Sequence, residues 1–140
     1  MSASIPLSAA QQQRLLQAAA AARRHAHAPY SGYAVGAAVL DEQGRVHAGC
    51  NVENAAYPQG LCAEAAALAA MVAAGGQRAA ALLVLSADAA TPCGGCRQRL
   101  HEFAAPATPV LLADPQRIRG WFTLAQLLPH AFGAGDRPLR

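Results

Sequence analysis

Apolar and polar positions follow two different periods along this chain, and the changes of period mark its elements. Ser8, followed three residues later by Gln11, is a capping-box pattern ahead of an alanine- and leucine-rich stretch. It predicts a helix running to about His27. Residues 28–32, with Pro29 and Gly32, read as a loop. Residues 33–40 read as a strand, 41–44 as a turn, and 45–50 as the returning strand of a hairpin. Residues 51–61 are polar and turn-rich, and 62–74 are helical up to a stop at Gly75-Gly76.

The second half repeats the alternation. Residues 81–86 are apolar throughout, as a strand covered on both faces should be. A short helix is expected at 93–103, a buried strand at 109–113, and a last short strand at 121–123 before a helical turn at 124–128. Five strands interleaved with helices predict a three-layer α/β/α sandwich with a mixed five-stranded sheet. Neither a repeat nor a linker divides the chain, so residues 1–140 are expected to form one domain.

Composition narrows the function classes. Charged residues make up 14% and apolar residues 54%, which is globular rather than disordered. All 11 basic residues are arginine, and only Arg23-Arg24 are adjacent. No basic stripe is formed, so nucleic acid is not an expected partner. No run approaches the ~18 apolar residues of a membrane helix, and the first residues do not resemble a signal peptide. A cytoplasmic location is therefore expected. In that compartment four cysteines read as metal ligands, core or catalytic groups rather than disulfides.

The chemistry concentrates in two segments, Cys62-Ala63-Glu64 and Pro92-Cys93-Gly94-Gly95-Cys96. A lone C-x-x-C also occurs in redox proteins and structural zinc knuckles. Here a third cysteine brings its own acid, and both segments fall where a helix begins. Helix N-termini favour thiolate over thiol. Three thiolates leave one zinc position open to water, the arrangement of catalytic rather than structural zinc. Glu64 would lie beside that position, which is a layout for hydrolysis. Cys50 reads as a buried hydrophobe, and the histidines have no ligand spacing to the cysteines.

These segments, with the blocks at 29–38, 49–57, 92–98 and 127–133, resemble cytidine deaminases. The three-cysteine set and the length are similar to the small homotetrameric branch of that family. The resemblance implies Zn²⁺ held by Cys62, Cys93 and Cys96, and pyrimidine salvage by conversion of cytidine or deoxycytidine to the uracil nucleoside plus ammonia. It implies attack on C4 by a zinc-activated water, with Glu64 shuttling the protons. Asn51 and Glu53 would hold the ribose hydroxyls, Tyr33 would pack by the base or sugar, and the backbone of Ala63 and Cys93 would read the base edge. Phe132 would reach into a neighbouring subunit's site, making the site depend on the tetramer.

One position departs from the family pattern. The residue after the catalytic glutamate is commonly arginine in this branch, offsetting the charge of three thiolates; here it is Ala65. Helix dipoles, Arg97 or Arg99 could supply that charge, or the enzyme is slower or tuned to another substrate. Rival readings are a deaminase of modified cytidines or of a nucleoside antibiotic such as blasticidin S, and a non-catalytic zinc-binding protein. A polynucleotide-editing deaminase would need a basic, aromatic-lined channel that the sequence does not provide.

Overall fold

A computed structural model describes residues 3–133 of the chain. Helix α1 spans Ala9–Arg23, and the capping box is formed as expected: Gln11 N–H donates to Ser8 Oγ at 3.1 Å, and Ser8 N–H to Gln11 Oε1 at 3.0 Å. The helix stops four residues before His27. There the chain turns outward, and His27 N–H donates to the Asn51 carbonyl at 3.0 Å while His27 O accepts from Glu53 N–H at 2.8 Å. A non-local pairing has displaced the last helical turn.

The sheet is built from β1 (Gly36–Asp41), β2 (Val46–Cys50), β3 (Ala79–Leu85), β4 (Pro109–Ala113) and β5 (Ile118–Thr123), in the order β2-β1-β3-β4-β5. β3 and β4 are parallel; every other neighbouring pair is antiparallel. The expected mixed five-stranded sheet is therefore present. β1 begins at Gly36 rather than Tyr33, and β5 begins three residues before Trp121.

Helix α1 covers one face of the sheet, where Leu15 and Ala19 pack with Ala38, Leu40, Leu83 and Leu111. Helices α2 (Ala63–Ala73), α3 (Gly94–His101) and α4 (Leu124–Leu127) lie on the side of the other cluster, which joins Leu68, Met71, Leu100 and Leu124 to Val39, Leu82 and Val110. Since successive strand residues point to opposite faces, a central strand must be apolar on both. β1 and β4 are buried at every position.

Close helix–sheet approach depends on Gly49 in β2. A Cβ there would stand 2.5 Å from Ala66 Cβ and 2.6 Å from Ala67 N, both on α2. Only glycine lets α2 settle at this depth. That settling places the N-terminus of α2 beside the carboxyl end of β3, the end of an open α/β sheet where ligand sites form. No helix among the described residues is long and apolar enough to cross a membrane.

Candidate metal centre and pocket

Cys62 is the N-cap residue of α2 and Cys93 the N-cap of α3, both in extended conformation. Their carbonyls accept the first helical N–H groups, from Ala66 at 3.1 Å and Arg97 at 3.0 Å. Cys96 follows one turn into α3 and is fully buried, while Cys62 is half-buried and Cys93 exposed. The three sulfurs lie within 4.8 Å of one another. A tetrahedral zinc ion with ~2.3 Å bonds spaces its sulfurs ~3.8 Å apart, so the donor set suits such an ion.

Electrostatics point the same way. Burial drives the Cys96 thiol strongly up from its ordinary pKa, with Glu64 and the other two thiols adding to it. Burial also raises Cys62, whereas Cys93 is lowered against its partial burial by the Cys96 N–H and the neighbouring sulfurs. Three thiols this close resist ionising together unless a cation joins them. No fourth histidine, cysteine or carboxylate completes the group among the described residues, which leaves a three-ligand centre.

Glu64 stands in the first turn of α2 and is only 5% exposed. Burial raises its carboxyl pKa, opposed by its own backbone N–H, the Cys96 thiol and Arg99. It faces a cavity of about 450 Å³ whose lining includes Cys62, Ala63, Glu64 and Cys93 on one side and Tyr33, Asn51 and Glu53 on another. The volume is in the range of small-ligand pockets. None of the lining residues is lysine or arginine.

Asn51 has a structural task as well as a place in the lining. Its Oδ1 accepts Val35 N–H at 2.9 Å and its Nδ2 donates to the Tyr33 carbonyl at 2.8 Å. One amide hydrogen and one lone pair remain for a ligand. Glu53 is held likewise: Oε1 accepts from the N–H groups of Tyr30 (3.0 Å) and Ser31 (3.1 Å), and Oε2 from the Ser31 hydroxyl. Those bonds, the hydroxyl's above all, lower its pKa and keep it a carboxylate.

Of the residues singled out from sequence, Cys62, Ala63, Glu64, Cys93, Asn51, Glu53 and Tyr33 converge on one cavity. Phe132 does not line it; the ring is 87% exposed, and its carbonyl accepts from Gln98 Nε2 at 2.9 Å. Sequence reasoning missed Ser86 and Asp88. Ser86 lines the cavity, its hydroxyl donates to Asp88 Oδ1 at 3.1 Å, and the Tyr33 hydroxyl donates to that same oxygen. Nothing local in the loop after β3 signals that link, because it spans 55 residues of sequence.

Residues 9–112 match the family model described as the cytidine and deoxycytidylate deaminase zinc-binding region. The chain is 45% identical to a cytidine deaminase of Mycobacterium tuberculosis over 115 residues, 81% of this chain and 83% of that one. It is 39% identical to a cytidine deaminase of Sporosarcina psychrophila over 126 residues, covering 89% and 93% of the two chains. The crystal structure of a cytidine deaminase from Burkholderia pseudomallei superposes with a TM-score of 0.79 at 42% identity, covering 86% of this chain and 98% of that one.

Proposed function

This chain belongs to the cytidine and deoxycytidylate deaminase zinc-binding family, and from that membership we propose that it hydrolyses cytidine and deoxycytidine to the uracil nucleosides and ammonia. The observation that carries the reading is a cluster of three cysteine sulfurs, two of whose residues line a ligand-sized cavity together with the buried Glu64. When bound, zinc supplies Lewis acidity that brings the pKa of a coordinated water toward neutrality. Cys62, Cys93 and Cys96 hold the metal, two of them from N-cap positions and the third from the first turn of α3.

Glu64 moves the protons. Its carboxylate accepts one from the attacking water, whose oxygen bonds to C4. It returns that proton to ring N3, and a further transfer lets the amino group leave as ammonia when the C4–N bond breaks. Burial beside the sulfurs keeps bulk water from competing for these transfers. Asn51 and Glu53, fixed by the backbone groups they brace, present one amide edge and one carboxylate oxygen to the ribose diol. The backbone of Ala63 faces the base, and Tyr33 walls the cavity.

The neutral nucleoside fits this lining better than a polynucleotide, which would require cationic side chains. A homotetramer with sites completed across subunit interfaces is supported by exposed apolar side chains. Tyr57 and Leu61 line the cavity and are 72% and 44% exposed, and Tyr30 and Phe132 are exposed outside it. A role in pyrimidine salvage and a cytoplasmic location accord with the free cysteines and the nucleoside substrate.

The test is loss of ultraviolet absorbance and release of ammonia on a panel of cytosine nucleosides with zinc-loaded protein. Turnover of cytidine or deoxycytidine is expected, and Glu64→Gln should lose about 10²–10⁴-fold in kcat while keeping its zinc. No turnover of either nucleoside would overturn the assignment.

A further inference from the structure

Helix α3 carries two arginines near the metal centre, and the structure separates their tasks. Arg97 is committed elsewhere: Nε donates to the Pro92 carbonyl at 2.7 Å, Nη1 to the Leu127 carbonyl at 2.8 Å, and Nη2 to Thr91 Oγ1 at 3.1 Å. It ties the loop before Cys93 to α4. Arg99 instead folds back along its helix, and its Nη1 donates to Cys96 Sγ at 3.4 Å. The guanidinium lies near Gly95; a Cβ there would sit in ordinary contact with it, 3.4 Å from Arg99 Nη1. The guanidinium thus lies over the first turn of α3, beside the Cys96 sulfur.

We infer that Arg99 is a positioning residue of the metal centre, orienting the Cys96 sulfur through its hydrogen bond and neutralising the charge that the loaded site carries. The inference rests on the reading of the three cysteines as zinc ligands. Three thiols that take up Zn²⁺ release three protons, and a dication with three thiolates retains one negative charge. Arginine is always protonated and supplies one positive charge. The loaded site is anionic, so a fixed cation hydrogen-bonded to one of its sulfurs favours the loaded state. Ala65 contributes no charge, and no basic side chain lines the cavity. Of the two arginines on α3, Arg99 is the one that bonds a cysteine sulfur.

The experiment compares zinc-loaded wild type, Arg99→Lys and Arg99→Gln, each titrated with a chromogenic chelator at neutral pH. Thermal unfolding is followed with and without the metal. Arg99→Gln is expected to give up zinc about tenfold more readily, at the low end of what losing a partner of a metal ligand costs. Arg99→Lys, which keeps the charge but not the planar fork, should fall between the two. The metal-free forms should unfold alike, with only the loaded forms diverging. Equal zinc retention in wild type and Arg99→Gln overturns the role of Arg99, and so does an equal loss of stability with and without metal, which marks packing alone. A wild type that holds no stoichiometric zinc overturns the three-cysteine reading itself, and the inference with it.

Discussion

The Tyr33 hydroxyl donates to the carboxylate of Asp88 across the wall of the cavity, joining the loop that precedes β1 to the loop that leads into Cys93. Ser86 donates to the same carboxylate oxygen and accepts from Ala90 N–H at 2.9 Å. The link holds the cavity wall without touching the sulfurs. Tyr33→Phe keeps the ring and removes the tether, so KM for cytidine should rise by less than about tenfold with kcat nearly unchanged, the scale of one hydrogen bond. A fall in kcat with KM unchanged would contradict this placement.

Asp41 closes the far end of β1. Oδ2 accepts from Arg45 Nε at 2.8 Å and lies 2.8 Å from His47 Nε2, while Oδ1 accepts from the N–H groups of Gln43 and Arg45, both at 2.9 Å. Burial alone would raise this carboxyl; the bonds from His47 and Arg45 and the two N–H groups outweigh it and hold it at about 2. A folded pKa below the unfolded one adds stability above the unfolded value of 3.8, lost as pH falls toward 2. Asp41→Asn should therefore unfold more easily than wild type above about pH 5, by about 2 kcal/mol, with the gap narrowing as pH falls. Denaturant unfolding of both proteins at matched pH checks it; a pH-independent gap would rule out the charge as its source.

Gly49→Ala places a methyl group against Ala66 and Ala67 in space that does not exist. Overpacking of this kind costs about 1–3 kcal/mol. Because α2 begins at Cys62 and carries Glu64, the displaced helix should also weaken zinc binding. A lowered melting temperature together with reduced zinc content is the expected result, and an unchanged melting temperature would show that α2 can move outward freely.

Phe132 is largely exposed, and its carbonyl accepts from Gln98 Nε2. If it completes a neighbouring subunit's site, Phe132→Ala should lower kcat/KM without changing zinc content or the unfolding of the isolated subunit. Light scattering alongside kinetics separates loss of assembly from loss of a side chain in the pocket. Unchanged kinetics in an intact oligomer would remove Phe132 from the site.

Local chemistry carried much of this structure in the order of its residues. The Ser8–Gln11 capping box, the hairpin turn before Arg45 and the apolar run of β4 each depend on neighbours a few positions away, and each forms as its sequence predicts. Two of the misplaced boundaries share one cause. α1 ends early because His27 pairs with Asn51 and Glu53, and β1 starts late because the Asn51 side chain occupies the Tyr33 carbonyl and Val35 N–H that a partner strand would use.

Thiol and carboxyl chemistry belongs to residue type, so the candidate ligands Cys62, Cys93 and Cys96 and the candidate acid Glu64 were readable from residue order, and two helix starts from spacing. Which groups face one another depended on packing. It joined Tyr33 to Asp88, set Asn51 to bracing the backbone, and turned Arg99 rather than Arg97 toward the sulfurs. Side-chain direction depends on what packs around a helix, and on α3 the Leu127 carbonyl takes Arg97 while the Cys96 sulfur takes Arg99.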